Sequence, residues 1–211
     1  MNTSTMSAML GIVRLMPILP MLAFIGAASA QRPAEPSCAE LEHSNSAQQM
    51  EYLEGDRAKL APECIEYALK HLGIEEYSPA IQTLVRYLDF ESPTLAKVNL
   101  AVSRSFDVAW IEHAYRYPAR TALSYIGLPA AISLVALIAN PSTPDVVAEN
   151  AAEALGDMHN HDRSRAVALL ASSAKAERDA LKAERLRAAA RKIANACVGA
   201  ELRNRCELAL N

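Results

Sequence analysis

Short apolar-striped segments that open on proline and close on glycine recur three times in this chain, and they constrain its fold more than any other feature. They are Pro62–Gly73 (PECIEYALKHLG), Pro118–Gly127 (PARTALSYIG) and Pro144–Gly156 (PDVVAENAAEALG). Proline suits the first helical position, where its missing N–H is not needed, and glycine suits a left-handed stop. Within the segments, Ile65, Ala68, Leu69 and Leu72 fall at i, i+3, i+4 and i+7, and Ala119, Ala122, Leu123 and Ile126 repeat that spacing. Ile81, Leu84, Val85 and Leu88 repeat it again. Each set is one apolar face of an α-helix. Ser78-Pro79, Ser92-Pro93 and Thr143-Pro144 read as hydroxyl caps ahead of a first-turn proline, and Asp162 as a cap without one. Strand signals are nearly absent, so the expected fold is all-α.

Helices of ten to twelve residues are marginal alone in water, because nucleation is costly, so each must shelter its stripe on a neighbour. The natural pairs are Pro62–Gly73 with Pro79–Phe90, Pro118–Gly127 with Pro129–Ala139, and Pro144–Gly156 with Arg163–Ser173. Gly127 and Gly156 are 29 residues apart, and Gly73 and Gly127 are 54 apart, close to two such periods. A repeat near thirty residues whose units cannot cover their own cores predicts a solenoid of stacked helical hairpins. Pro129–Ala139 is apolar nearly all round and reads as a central helix packed on both sides. Residues 177–197 carry one stripe, including Leu186, Ala190 and Ile193, and read as a long C-terminal capping helix; 201–210 would then fold back.

Residues 1–30 read as a signal peptide rather than as fold. Arg14 is the only charge before Arg32, the stretch from Leu15 to Ile25 is apolar, and Ala28-Ser29-Ala30 supplies the small residues of a cleavage site. An uncleaved anchor is the alternative, weakened by Pro17 and Pro20 within a run short for a membrane span. Residues 31–45 form a polar leader and 46–211 the helical domain, with no membrane span expected after cleavage. The mature chain has 20 basic and 24 acidic residues, spread without long runs of one sign, which leaves no footprint for nucleic acid. Its four cysteines, Cys38, Cys64, Cys197 and Cys206, suit two disulfides in an exported protein, periplasmic or extracellular. Three connectivities are possible, and sequence proximity favours Cys38–Cys64 with Cys197–Cys206.

The phrases Ala68-Leu-Lys-His-Leu-Gly73, Ala122-Leu-Ser-Tyr-Ile-Gly127 and Ala151-Ala-Glu-Ala-Leu-Gly156 resemble HEAT-like repeats, of the short kind found in phycobilisome-lyase-type proteins. The resemblance covers roughly residues 60–175, with 93–117 fitting poorly and the repeat's turn Asp and Arg mostly missing. It implies a right-handed α-solenoid whose common use is protein binding, and it brings no catalytic residue or cofactor onto this chain.

Chemistry-bearing patterns are sparse. His159 and His161 form the one dense pair of potential metal ligands, with no third ligand placed beside them. No nucleophile elbow, phosphate loop or zinc-protease motif occurs. All ten aromatics of the mature chain lie between Tyr52 and Tyr125. Around the misfitting stretch, arginine and histidine interleave with them: Arg104, Phe106, Trp110, His113, Arg116, Tyr117 and Arg120. Trp, Tyr and Arg dominate binding hot spots, so these residues are candidate partner contacts; the competing reading is bulky filling of a broken repeat. The expected function is an exported, non-catalytic scaffold for a protein or peptide partner. The rivals are an enzyme, either metal-dependent at His159 and His161 or lyase-like by family resemblance, and a structural module that self-associates through its Ala-rich C-terminal half. Phycobilin lyases act in the cytosol, so an export signal weighs against the lyase.

Overall fold

The structure, a computed structural model, describes residues 38–96 and 115–210, and among these every regular element is helical. In chain order the elements are α1 (Cys38–Glu42), α2 (Ser46–Leu53), α3 (Pro62–Ile74), a 3-10 turn (Ser78–Ala80) running into α4 (Ile81–Val85), and α5 (Pro93–Ala96). After residues 97–114 come α6 (Pro118–Ile126), α7 (Leu128–Ala139), α8 (Asp145–Asp157), α9 (Asn160–Ala176), α10 (Ala180–Asn195) and α11 (Ala200–Leu210). None of the described helices is long and apolar enough to cross a membrane.

The stripes read from the sequence are the core. Ile65, Ala68, Leu69 and Leu72 of α3 are buried, as are Ala119, Ala122, Leu123 and Ile126 of α6. In α10, Ala183, Leu186, Ala189, Ala190, Ile193 and Ala194 are buried along one face. Pro62 and Pro118 open α3 and α6 as expected, whereas the side-chain caps differ from those expected. Asn45 and Gln48 form a reciprocal capping box at α2, each backbone N–H donating to the other's side-chain oxygen at 3.0 Å. Asp179 accepts from the Leu181 and Lys182 amides to open α10. Thr143 does not cap α8, because Pro144 itself holds that position, and Asp162 lies in the first turn of α9, one turn past His159.

The glycines divide by role. Gly127 takes φ +73° between α6 and α7, as a left-handed stop should. Gly73 and Gly156 instead lie within the last turns of α3 and α8. At Gly73 the reason is proximity: a Cβ there would stand 2.5 Å from the Ala122 Cα. That pair lets α3 and α6 cross almost backbone to backbone.

This crossing redirects the first hairpin. The expected helix over 79–90 is only α4, followed by tightening turns in which Tyr87 donates to the Leu84 carbonyl and Phe90 to that of Tyr87. Three residues per turn brings side chains at i and i+3 into line, and Leu84, Tyr87 and Phe90 are all buried. The Tyr87 hydroxyl donates to the Leu53 carbonyl at 2.8 Å. With α4 so short, α3 packs chiefly on α6 rather than on its expected partner. Beyond it, α6 and α7 both pack on α8, α7 also meets α9 and α10, and α9 carries α10 and α11. The α7 helix is open on one side, where Ile132 is 75% exposed.

Disulfides tie both ends: Cys38 to Cys64, with Cα atoms 5.0 Å apart, and Cys197 to Cys206, 6.7 Å apart. The first pins α1 onto α3. The second holds α11, which buries only Leu202 and Cys206, against the end of α10.

Candidate partner-binding surface

Where α3 and α6 cross, their outer edges leave a cleft of about 100 Å³ lined by Lys70, Ile74, Tyr115, Pro118, Thr121 and Tyr125. Ile74 follows the crossing glycine and falls off the buried stripe, so its side chain is 68% exposed at the mouth. Tyr125, on the outward face of α6, is 39% exposed. Burial first, and then the charge and hydrogen bond of the neighbouring Tyr115 hydroxyl, raise the Tyr125 phenol above its ordinary range. The Tyr125 phenol therefore stays neutral at physiological pH and serves as a hydrogen-bonding rather than an anionic group.

The cationic side of the cleft is built on a buried carboxylate. Glu66 is 3% exposed. Its carboxylate pairs with Lys70, accepts from the Thr94 amide at 3.2 Å, and is hydrogen-bonded by the Ser92 and Thr94 side chains. Burial pushes the Glu66 carboxyl upward, but the Lys70, Ser92 and Thr94 hydrogen bonds outweigh it and hold the group below its usual value. Lys70 is thereby positioned with its ammonium 5.8 Å from the Tyr115 ring centroid, within cation–π range.

The segments on either side of residues 97–114 meet at one point. The Ser92 amide donates to the Arg116 carbonyl at 2.9 Å. Glu91 accepts from the Arg116 guanidinium at 3.1 Å and from the Tyr117 hydroxyl at 3.0 Å. The Tyr117 phenol is raised by burial, then by the Glu91 carboxylate.

Of the residues singled out in the sequence, Arg104, Phe106, Trp110 and His113 lie outside the described residues. Arg116 and Tyr117 lie between Tyr115 and Pro118 in sequence but do not line the cleft; they are joined through Glu91. Arg120 does not belong to the surface. It is 1% exposed, ion-paired to Glu153 and 3.9 Å from the Asp157 carboxylate, with the Tyr117 ring over its guanidinium. It clasps α6 to α8 as a core residue. His159 occupies the N-cap position of α9, and His161 is exposed with Nδ1 3.4 Å from Asp162. Among the described residues no three potential metal ligands converge. Sequence reasoning missed Glu66, Lys70 and Ile74. The i, i+4 Glu66–Lys70 pair was visible, but the Ser92 and Thr94 contacts that bury it come from another segment.

Compared with known proteins, the chain matches no protein-family model, no curated protein and no solved structure.

Proposed function

We propose that this chain is an exported, non-catalytic scaffold that binds another protein or a peptide, its helices stacked as a HEAT-like, right-handed α-solenoid. The observation that carries the reading is the α3–α6 cleft. It pairs an exposed aliphatic side chain, Ile74, with the hydroxyls of Tyr115 and Tyr125, and a lysine stands over the Tyr115 ring. Its volume is of the order of one aliphatic side chain, so the ligand presents an apolar residue flanked by groups that hydrogen-bond to Tyr115 and Tyr125. Aromatic and cationic anchors held still by packing incur little ordering cost on binding. The stacking reading is supported by helices that pack on those following them, from α3 through α6 and α8 to α10. Export is supported by the apolar leader and by two cysteine pairs at bonding distance, which suit an oxidising compartment.

The test is photocrosslinking from position 125 in the intact cell envelope, followed by reconstitution with the purified captured species. Ile74→Glu and Tyr125→Ala are expected to weaken that reconstituted binding at least about tenfold, the scale of one buried anchor, with the thermal midpoint unmoved. Binding that ignores both substitutions would sink the proposal.

A further inference from the structure

Charge in this chain looks evenly mixed along the sequence but is sorted by position in the fold. Residues 38–96, covering α1–α5, hold eleven acidic and four basic side chains. Residues 160–210, covering α9–α11, hold six acidic and eleven basic ones. The two groups lie at opposite ends of the packing order: α1 and α2 rest on α3, and α9–α11 rest on one another and on α7 and α8.

Each end also carries a recess of matching character. At the acidic end, Glu40 and Glu51 flank a cleft of about 390 Å³ with Leu41 and Tyr52 in its floor. At the basic end, a groove of about 250 Å³ runs between α9 and α10 over Ala171, Ala174 and Ala190, lined also by Leu210 of α11 and rimmed by Lys175, Arg187 and Arg191. Arg187 and Arg191 share the single carboxylate of Glu184, at 3.3 and 2.6 Å, so this pair of guanidiniums outnumbers the carboxylate it shares.

We propose that the α1–α2 end of one copy docks onto the α9–α10 groove of a second copy. Glu40 and Glu51 meet the Lys175, Arg187 and Arg191 rim, and the small alanines of the groove floor let the α1–α2 edge approach closely. The occupant is a second copy because the chain itself supplies the complementary surface. Opposite charge at the two ends also disfavours end-to-like-end pairing. A contact between two different patches is heterologous, so every added copy leaves one acidic and one basic end open. Assemblies therefore grow with concentration into rings or open strings rather than stopping at a dimer. This self-docking is independent of what the α3–α6 cleft binds.

The experiment is sedimentation velocity of the full chain as the cell processes it, across a wide concentration range, at about 0.02 M and about 0.5 M NaCl, where screening shortens from roughly 20 Å to a few Å. The expected result is concentration-dependent growth beyond dimer at low salt, weakened at least about tenfold at high salt. Arg187→Glu with Arg191→Glu should abolish growth, and so should Glu40→Lys with Glu51→Lys. Mixing the two reversed proteins should restore it, because unlike ends are again available. The single substitutions Arg191→Glu and Glu51→Lys give the same comparison if a double variant misfolds. A chain that stays monomeric at low salt overturns the proposal. So does association that is indifferent to salt and to both reversals.

Discussion

Replacing Gly73 with alanine sets two principles against each other. Gly73 lies inside α3, away from any left-handed conformation, so helix propensity alone predicts that alanine stabilises the protein by up to about 1 kcal/mol. Packing predicts the opposite. The new methyl would stand 2.5 Å from the Ala122 Cα and 2.8 Å from its Cβ, and the nearer of these is main chain, which cannot rotate away. Overpacking a close crossing costs about 1–3 kcal/mol, so after a propensity gain of about 1 kcal/mol the net loss is up to about 2 kcal/mol. For a chain of this size that lowers the thermal midpoint by up to about 4–8 °C. Circular dichroism melts of wild type, Gly73→Ala and the double variant with Ala122→Gly decide the matter. The double variant should be no more stable than the single one, because removing the Ala122 methyl leaves the clash with its Cα and adds a flexible glycine to α6. A Gly73→Ala protein more stable than wild type, or a double variant that recovers the wild-type midpoint, would refute the reasoning.

At Gly156 the same substitution should stabilise by about 0.5–1 kcal/mol, since its Cβ would meet only the Ile193 side chain at an ordinary 3.7 Å; urea unfolding at constant slope reads this. Arg120→Leu should cost about 3 kcal/mol in the same assay, near the lower end for a broken buried pair, because Glu153 retains Lys192 at 3.6 Å. Glu66→Gln should lower the midpoint at neutral pH and flatten its acid dependence. The folded-state pKa of Glu66 is depressed, so its contribution is complete above the unfolded value, about 4.3, and is lost as pH falls through the lower folded value. The gap between variant and wild type therefore closes in acid, as melts from neutral pH downward would record. Removing the Cys197–Cys206 bridge with two serines should free α11 alone, since that helix buries little else. Hydrogen exchange should speed up over 200–210 and stay unchanged over α3 and α6.

What the sequence disclosed was local. The i, i+3, i+4 stripes of α3 and α6 were legible because helical periodicity needs no knowledge of the partner, and the cysteine pairing because short separations favour closure. The failures are cases where a distant segment decides. Arg120 has the composition of a surface anchor, yet Glu153 and Asp157, more than thirty residues later, neutralise it and draw it into the core. Gly73 has the position of a helix stop, and only the approach of Ala122 shows that it is a crossing point. The helix expected over 79–90 follows the right spacing but shortens, because Tyr87 is anchored on the Leu53 carbonyl and the turns tighten around it. The sorting of charge between the ends was present in the sequence throughout, but it emerges only when residues are counted by helix rather than by run.

The stitch at Glu91 and Ser92 with Arg116 and Tyr117 has a further meaning for how such a protein can change. The Ser92 amide and the Arg116 carbonyl hold the flanks of residues 97–114 together through main chain alone, so that bond survives any substitution at Arg116 and any but proline at Ser92. The Glu91 pairs with Arg116 and Tyr117 are the part of the stitch that a change of side chain can loosen.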